Sequence, residues 1–176
     1  MIHTYFSCRS QSASAISADE SLLHIIGGRS HSQVLQSMQS VGMNKMFEEQ
    51  QIEIDSELVS SWFASAVTLT TGNIVLTGGR HTANEAVLRS NQGIWTGLPQ
   101  MIHGRYGHSS CSIFHDDNEH VLVAGGWDRE GGIQATVELY KISKPERGWR
   151  EIGSMVSPRT LFTLQVYVMT YQNPDN

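Results

Sequence analysis

"VLVAGGWDREGG" spans Val121 to Gly132: a run of small and apolar residues, a glycine pair, a tryptophan, mixed charges and a second glycine pair. A glycine-rich loop after a buried strand has two common uses. Its backbone N–H groups can cradle a phosphate, or its glycines can let the chain leave a strand abruptly. Neither GxxxxGK[ST] nor GxGxxG occurs in the chain, and the glycine pair has siblings. "LLHIIGGR" (Leu22 to Arg29), "NIVLTGGR" (Asn73 to Arg80) and "HVLVAGGW" (His120 to Trp127) each end an apolar run in Gly-Gly. The first glycines, Gly27, Gly78 and Gly125, are 51 and 47 residues apart. One ligand site does not recur at a fixed period, so Gly27, Gly28, Gly78, Gly79, Gly125 and Gly126 read as structural glycines of a repeat.

A second motif keeps the same rhythm. Trp95 is followed by Leu98, Met101 and Arg105, and Trp149 by Ile152, Met155 and Arg159, at identical spacing and 54 residues apart. The clearest repeat divides into four short strands. "RYGHSSCSIF" (Arg105 to Phe114) is a strand, "HDDNEH" a polar turn, "VLVAGG" a strand buried on both faces, "TVELYKIS" an alternating strand, and "KPERG" turns into "WREIG". Four antiparallel strands per unit at this period predict the blade of an all-β propeller. The expected units are residues 5–60, 61–104 and 105–158, with the start of a further one at 159–170 ("PRTLFTLQVYV") and a polar tail at 171–176. In the first unit, Val34 to Gln51 also admits a short helix. The large rings of Trp95 and Trp149 are expected to fill space between blades, with the indole N–H donating to a carbonyl. Arg105 and Arg159 are expected to reach backbone carbonyls or a carboxylate in the adjoining unit.

Composition bounds the rest. The chain has 176 residues, 39% of them hydrophobic, and a formal net charge of -5. That is enough for one domain with a core, and it argues against a free-standing nucleic-acid binder, which usually carries a basic face. Cys8 and Cys111 form no CxxC or Cys/His spacing, "MIHTYFSCRS" has no basic region followed by an apolar stretch, so no secretory signal is expected, and Leu161 to Tyr171 is too short to span a bilayer. The expected setting is the cytoplasm, away from membranes. The eight histidines make no HxH or HxxxH pair, so no metal site is expected; "HDDNEH" lacks the glycine and distal glutamate of a calcium loop. No nucleophile elbow is present, and no catalytic residue is expected.

The constellation resembles the kelch repeat. In the third unit the match covers Arg105, His108, Ser109, Gly125, Gly126, Tyr140 and Trp149. The second unit keeps Gly78, Gly79 and Trp95, with Ser61 to Ser65 where Arg105 to Ser109 fall in the third; the first keeps Arg9, Ser12, Gly27 and Gly28. The resemblance implies a kelch-type β-propeller of four-stranded antiparallel blades. At roughly three and a half blades it would be incomplete, so a fragment, a shortened isoform or part of a larger chain is expected. It also implies a non-catalytic module that binds a protein or substrate through loops on one face, or that packs against further blades. "LLHIIGGRS", "GRYGHSSCSI" and "VLVAGG" are in addition similar to the kelch region of the tRNA wybutosine-synthesizing, leucine carboxyl methyltransferase-like family. That second likeness implies the kelch portion of a tRNA-modifying enzyme. It would bring tRNA as a partner, and S-adenosylmethionine as cofactor only through an attached methyltransferase domain.

The loops after the glycine pairs are the candidate binding residues: Arg29 and His31, Arg80 and His81, and Trp127, Asp128 and Arg129. Equivalent loops of all blades emerge at one end of a propeller, which would collect these side chains on one face. Arginine, histidine and tryptophan together suit a carboxylate, a phosphate or a peptide. The plainer reading is that each arginine pairs with the neighbouring blade.

Overall fold

The computed structural model describes residues 10–17, 19–31, 33–35, 37–42, 49–53 and 62–165. Arg9, Cys8 and the 171–176 tail lie outside them. The described chain is all-β. Three four-stranded antiparallel sheets follow one another in sequence, with a two-stranded ribbon attached. The first sheet contains β1 (Ala13–Ile16), β2 (Leu22–Ile26), β5 (Ser37–Gly42) and β6 (Glu49–Glu53), in that order, and β3 (Arg29–Ser30) pairs with β4 (Gln33–Val34) in the ribbon. The second holds β7 (Ser65–Thr68), β8 (Ile74–Thr77), β9 (Ala86–Arg89) and β10 (Trp95–Gly97). The third holds β11 (Ser109–His115), β12 (Asn118–Ala124), β13 (Thr136–Lys141) and β14 (Trp149–Ser154). Each sheet is a simple meander, and β7 lies beside both β1 and β11.

The apolar runs that precede the glycine pairs are second strands; β8 is covered on both faces and β12 nearly so, whereas β2 buries His24 and Ile26 and leaves Leu22 exposed. In β8, Ile74 and Leu76 pack with Ala13, Ala15, Ile26 and Met38 of the first sheet. Val75 turns the other way, into a cluster with Val121, Val123, Tyr140 and Trp149 of the third sheet. A strand buried on both sides has no polar face, which is why "NIVLTGG" shows no alternation. The β13 strand alternates as expected, with Glu138 and Tyr140 buried and their neighbours half-buried. Trp149 stacks on Tyr140 at 5.1 Å, and its indole N–H donates to Pro99 O at 2.9 Å, joining the second and third sheets.

The sheets are also stitched by a relay of main-chain bonds. Phe63 N donates to Gln11 O, Gly107 N to Phe63 O, and Leu161 N to Gly107 O, each at 2.8 Å. All four residues adopt the left-handed conformation, with φ of 58°, 62°, 63° and 52° for Gln11, Phe63, Gly107 and Leu161. Three of them are not glycine, and each carries about 1 kcal/mol of strain that its relay hydrogen bonding offsets, on both sides at Phe63 and on one side at Gln11 and Leu161.

Several local expectations change. The Val34–Gln51 stretch contains no helix among its described residues: β5 pairs with β2 across Ile26↔Met38 to Leu22↔Gly42 and with β6 on its other side. Long-range pairing to a preformed apolar edge outweighs the weak local preference. The strand expected from Arg105 begins only at Ser109, because Gly107 is left-handed and Arg105 turns its side chain inward. The polar turn narrows from six residues to Asp116 and Asp117, at φ 48° and 54°, a geometry aspartate tolerates. Residues 158–165 form no strand; they run as 105–108 do, with Gly126 N donating to Arg159 O at 2.8 Å. The remainder of "PRTLFTLQVYV" lies outside the described residues.

Candidate functional site

The two glycines of each pair have different neighbours. A Cβ on Gly125 would stand 2.5 Å from Arg159 O, and one on Gly126 would stand 2.8 Å from Tyr106 O. The first glycine therefore receives the incoming chain of the following segment, and the second admits the start of its own sheet. Each residue after a pair is then fixed by backbone bonds. Arg29 exchanges two with Ser10, Trp127 exchanges two with Tyr106, and Arg80 N donates to Trp62 O at 3.0 Å. Ser10, Trp62 and Tyr106 each immediately precede a relay residue.

This construction lines up one side chain after another along one end of the sheets. The Arg29 guanidinium carbon lies 5.0 Å from the Trp62 ring centroid, and that of Arg80 lies 5.2 Å from Trp62 and 5.7 Å from Tyr106. Tyr106 stacks on Trp127 at 5.4 Å, and Phe63 touches Trp62, Tyr106 and Trp127 at 5.4, 6.2 and 6.2 Å. His81 lies parallel to Trp62 at 6.2 Å. The result is a rim on which Arg29, Trp62, Arg80 and Tyr106 alternate cation and ring and Trp127 stacks on the last, carried by segments that flank all three sheets. An exposed cation–π contact is worth about 0.5–1 kcal/mol, so three of them set the arginines in place without clamping them.

Of the seven sequence candidates, Arg29, Arg80, His81 and Trp127 converge on this rim. His31 is exposed at φ 36° and joins no ring among the described residues. Asp128 folds its own loop: its Oδ1 accepts from Gly132 N at 2.6 Å. That explains the second glycine pair of the opening stretch as local to this turn. Exposed Arg129 lines a separate polar depression of about 420 Å³ with Asn84, His103 and Gln134. Trp62, Phe63 and Tyr106 were missed as binding residues. Their signal lay in the alignment of Ser61–Ser65 with Arg105–Ser109, which sets Trp62 against Tyr106.

Beneath the rim the arginine motif takes a different form. Arg105 and Glu138 are both fully buried and paired at 2.5 Å. Arg105 also donates to Gly125 O at 2.8 Å and to Thr136 O at 3.2 Å, while Glu138 accepts from the backbone N–H groups of Ile102 and His103. The side-chain partners of Arg105 thus belong to its own expected unit rather than the adjoining one; contact with the second unit runs through its backbone, whose carbonyl accepts from Gly79 N and whose N–H donates to Ala83 O. Burial lowers the Arg105 pKa, and Glu138 opposes that shift. Arg159 is exposed; no further sheet covers it among the described residues. His108 Nε2 meets Thr77 Oγ1 at 2.8 Å. Burial, reinforced by the Arg105 charge, pushes His108 down to about 3, so it is neutral.

No three His, Cys, Asp or Glu side chains converge as a metal site among the described residues, and none of their helices is long and apolar enough to cross a membrane. No protein-family model matches the chain, and no curated protein matches it significantly.

Proposed function

We propose that the chain is a segment of a kelch-type β-propeller that acts as a non-catalytic interaction module, holding a protein partner on the Arg29–Trp62–Arg80–Tyr106–Trp127 rim. The propeller part is supported by three consecutive four-stranded meanders whose first strands lie side by side. The relay through Gln11, Phe63, Gly107 and Leu161 adds to it, because the same bond recurs from one unit to the next. The binding part rests on one observation: segments flanking the three sheets present a continuous, partly exposed row of guanidinium groups and aromatic rings. Aromatic and arginine side chains are the types that dominate binding energy at interfaces.

The test is selection from a phage-displayed library of random peptides on the immobilised chain. Enriched clones should lose binding to Trp62→Ala and Tyr106→Ala chains of unchanged circular dichroism. They should keep it on Arg150→Ala, at the far edge of the third sheet. Enrichment of no clone, or of clones indifferent to both rim substitutions, overturns the reading.

A further inference from the structure

We infer that the ligand of this rim is an acidic peptide bound in extended form, with carboxylates two residues apart held by Arg29 and Arg80. The inference rests on the rim being a binding face and goes on to assign its ligand chemistry.

The first ground is the contrast among the arginines. Arg105 has a carboxylate and three further acceptors. Arg29 and Arg80 are exposed, and among the described residues their guanidinium groups have neither an acid nor a hydrogen-bond acceptor; their side-chain contacts are with rings alone. A guanidinium beside a ring gives up no N–H donor to it in a conventional hydrogen bond, so its donors stay available. Those donors match a carboxylate fork.

Spacing is the second ground. Both guanidinium carbons sit beside the same ring, at 5.0 and 5.2 Å from its centroid, so they are at most about 10 Å apart. In an extended peptide, side chains at i and i+2 share a face and stand roughly 6.6–6.8 Å apart. Two acidic residues in that register reach one arginine each. They also relieve the repulsion between two cations held on one indole. The neighbouring Tyr106–Trp127 stack, half-buried on the same rim, receives an apolar side chain further along the peptide.

Charge selects a peptide over a nucleic acid. The chain carries 17 acidic against 12 basic residues, and Asp128 and Glu130 flank Arg129 close by the rim in sequence. Two isolated arginines suit two carboxylates; a phosphate backbone needs a longer basic track.

The experiment is fluorescence anisotropy of the whole chain with a labelled peptide of alternating Glu and Gly that ends in Trp, beside its Gln-for-Glu counterpart and a labelled tRNA. We expect the Glu peptide to bind and to weaken as salt rises. The Gln peptide should bind at least about tenfold more weakly, and the Arg29→Ala/Arg80→Ala chain should lose at least about tenfold in affinity for the Glu peptide. Both arginines are exposed, so the double variant folds, and an unchanged circular dichroism spectrum verifies it. Equal binding of the Glu and Gln peptides, or tRNA bound more tightly than peptide and lost in the same double variant, overturns the inference. Rim-dependent phage clones that lack acidic residues also overturn it while leaving the interaction-module reading intact.

Discussion

The seam between the first and second sheets and the seam between the second and third follow one plan with different chemistry. The core of the first is small and aliphatic, Ala13, Ala15, Ile26 and Met38 against Ile74, Leu76 and Val87, and the Thr68 hydroxyl crosses its exposed edge by donating to Ile16 O at 2.5 Å. The second has an apolar cluster too, but buried and half-buried polar links cross or flank it. His108 reaches Thr77, Ser110 reaches Ser65, Glu119 accepts from Thr70, and Glu138 of the third sheet caps Ile102 and His103 while binding Arg105. An apolar seam tolerates repacking and loses stability smoothly. A polar seam is directional, and each of its buried groups is costly once its partner is gone.

The largest expected effect is therefore at Arg105. Replacing it with Met strands Glu138 as a buried carboxylate, and breaking a buried pair typically destabilises by about 3–5 kcal/mol. Urea denaturation should show a loss of about 4 kcal/mol. Arg105→Met/Glu138→Leu should recover part of this but not all, because the Ile102 and His103 N–H groups then lose their acceptor. A loss below about 1 kcal/mol for Arg105→Met would remove the distinction between the seams.

Acid probes the same seam next. His108 is held near 3 in the fold and returns to the ordinary histidine value of 6.5 on unfolding. Between those values the unfolded chain binds the proton and the native one does not, so stability falls as pH drops through that window and is complete above it. The contribution amounts to about 2 kcal/mol between pH 6.5 and pH 5. His24 in the first sheet is also lowered, by burial and by Arg89, and acts in the same direction. The measurement is thus the difference between the parent and His108→Leu in chemical denaturation over that range. Parallel pH profiles for the two proteins would show that His108 is not the sensor.

These polar links bear on what the sequence disclosed. The glycine pairs, the Trp149 N–H seeking a carbonyl and the four-strand rhythm of the third sheet were legible, because local chemistry alone requires those residue types. The third segment read most clearly because its motif residues, Arg105, His108, Tyr140 and Trp149, are the ones that make the second seam. The relay was not legible. Gln11, Phe63 and Leu161 take positive φ because hydrogen bonds from neighbouring sheets impose it, and nothing in their side chains announces that. Gly107 alone is glycine at this position, for a separate reason: a Cβ there would meet Trp127 Cζ3 at 2.6 Å. The rim was half legible for a similar reason. Arg29, Arg80 and Trp127 follow glycine pairs, whereas Trp62 and Tyr106 arrive from the preceding connection and meet them only in three dimensions.

The smallest effect tests the apolar seam with a residue that the polar one already uses. The relay aligns Gln11 with Phe63, and hence Ala15 with Val67, each four residues further along a first strand. Ala15 is buried in the first seam and Val67 packs, partly buried, against the second. Ala15→Val therefore inserts into one seam the side chain its counterpart carries in the other. If the first seam has closed around its alanines, two added methyl-sized groups overpack it and destabilise the protein by about 1 kcal/mol. Hydrogen exchange should then quicken at β1 and β2 while β12 and β13, two sheets away, stay protected. A neutral or stabilising Ala15→Val would mean the first seam holds unused space, and the contrast would then be one of packing density rather than of chemistry.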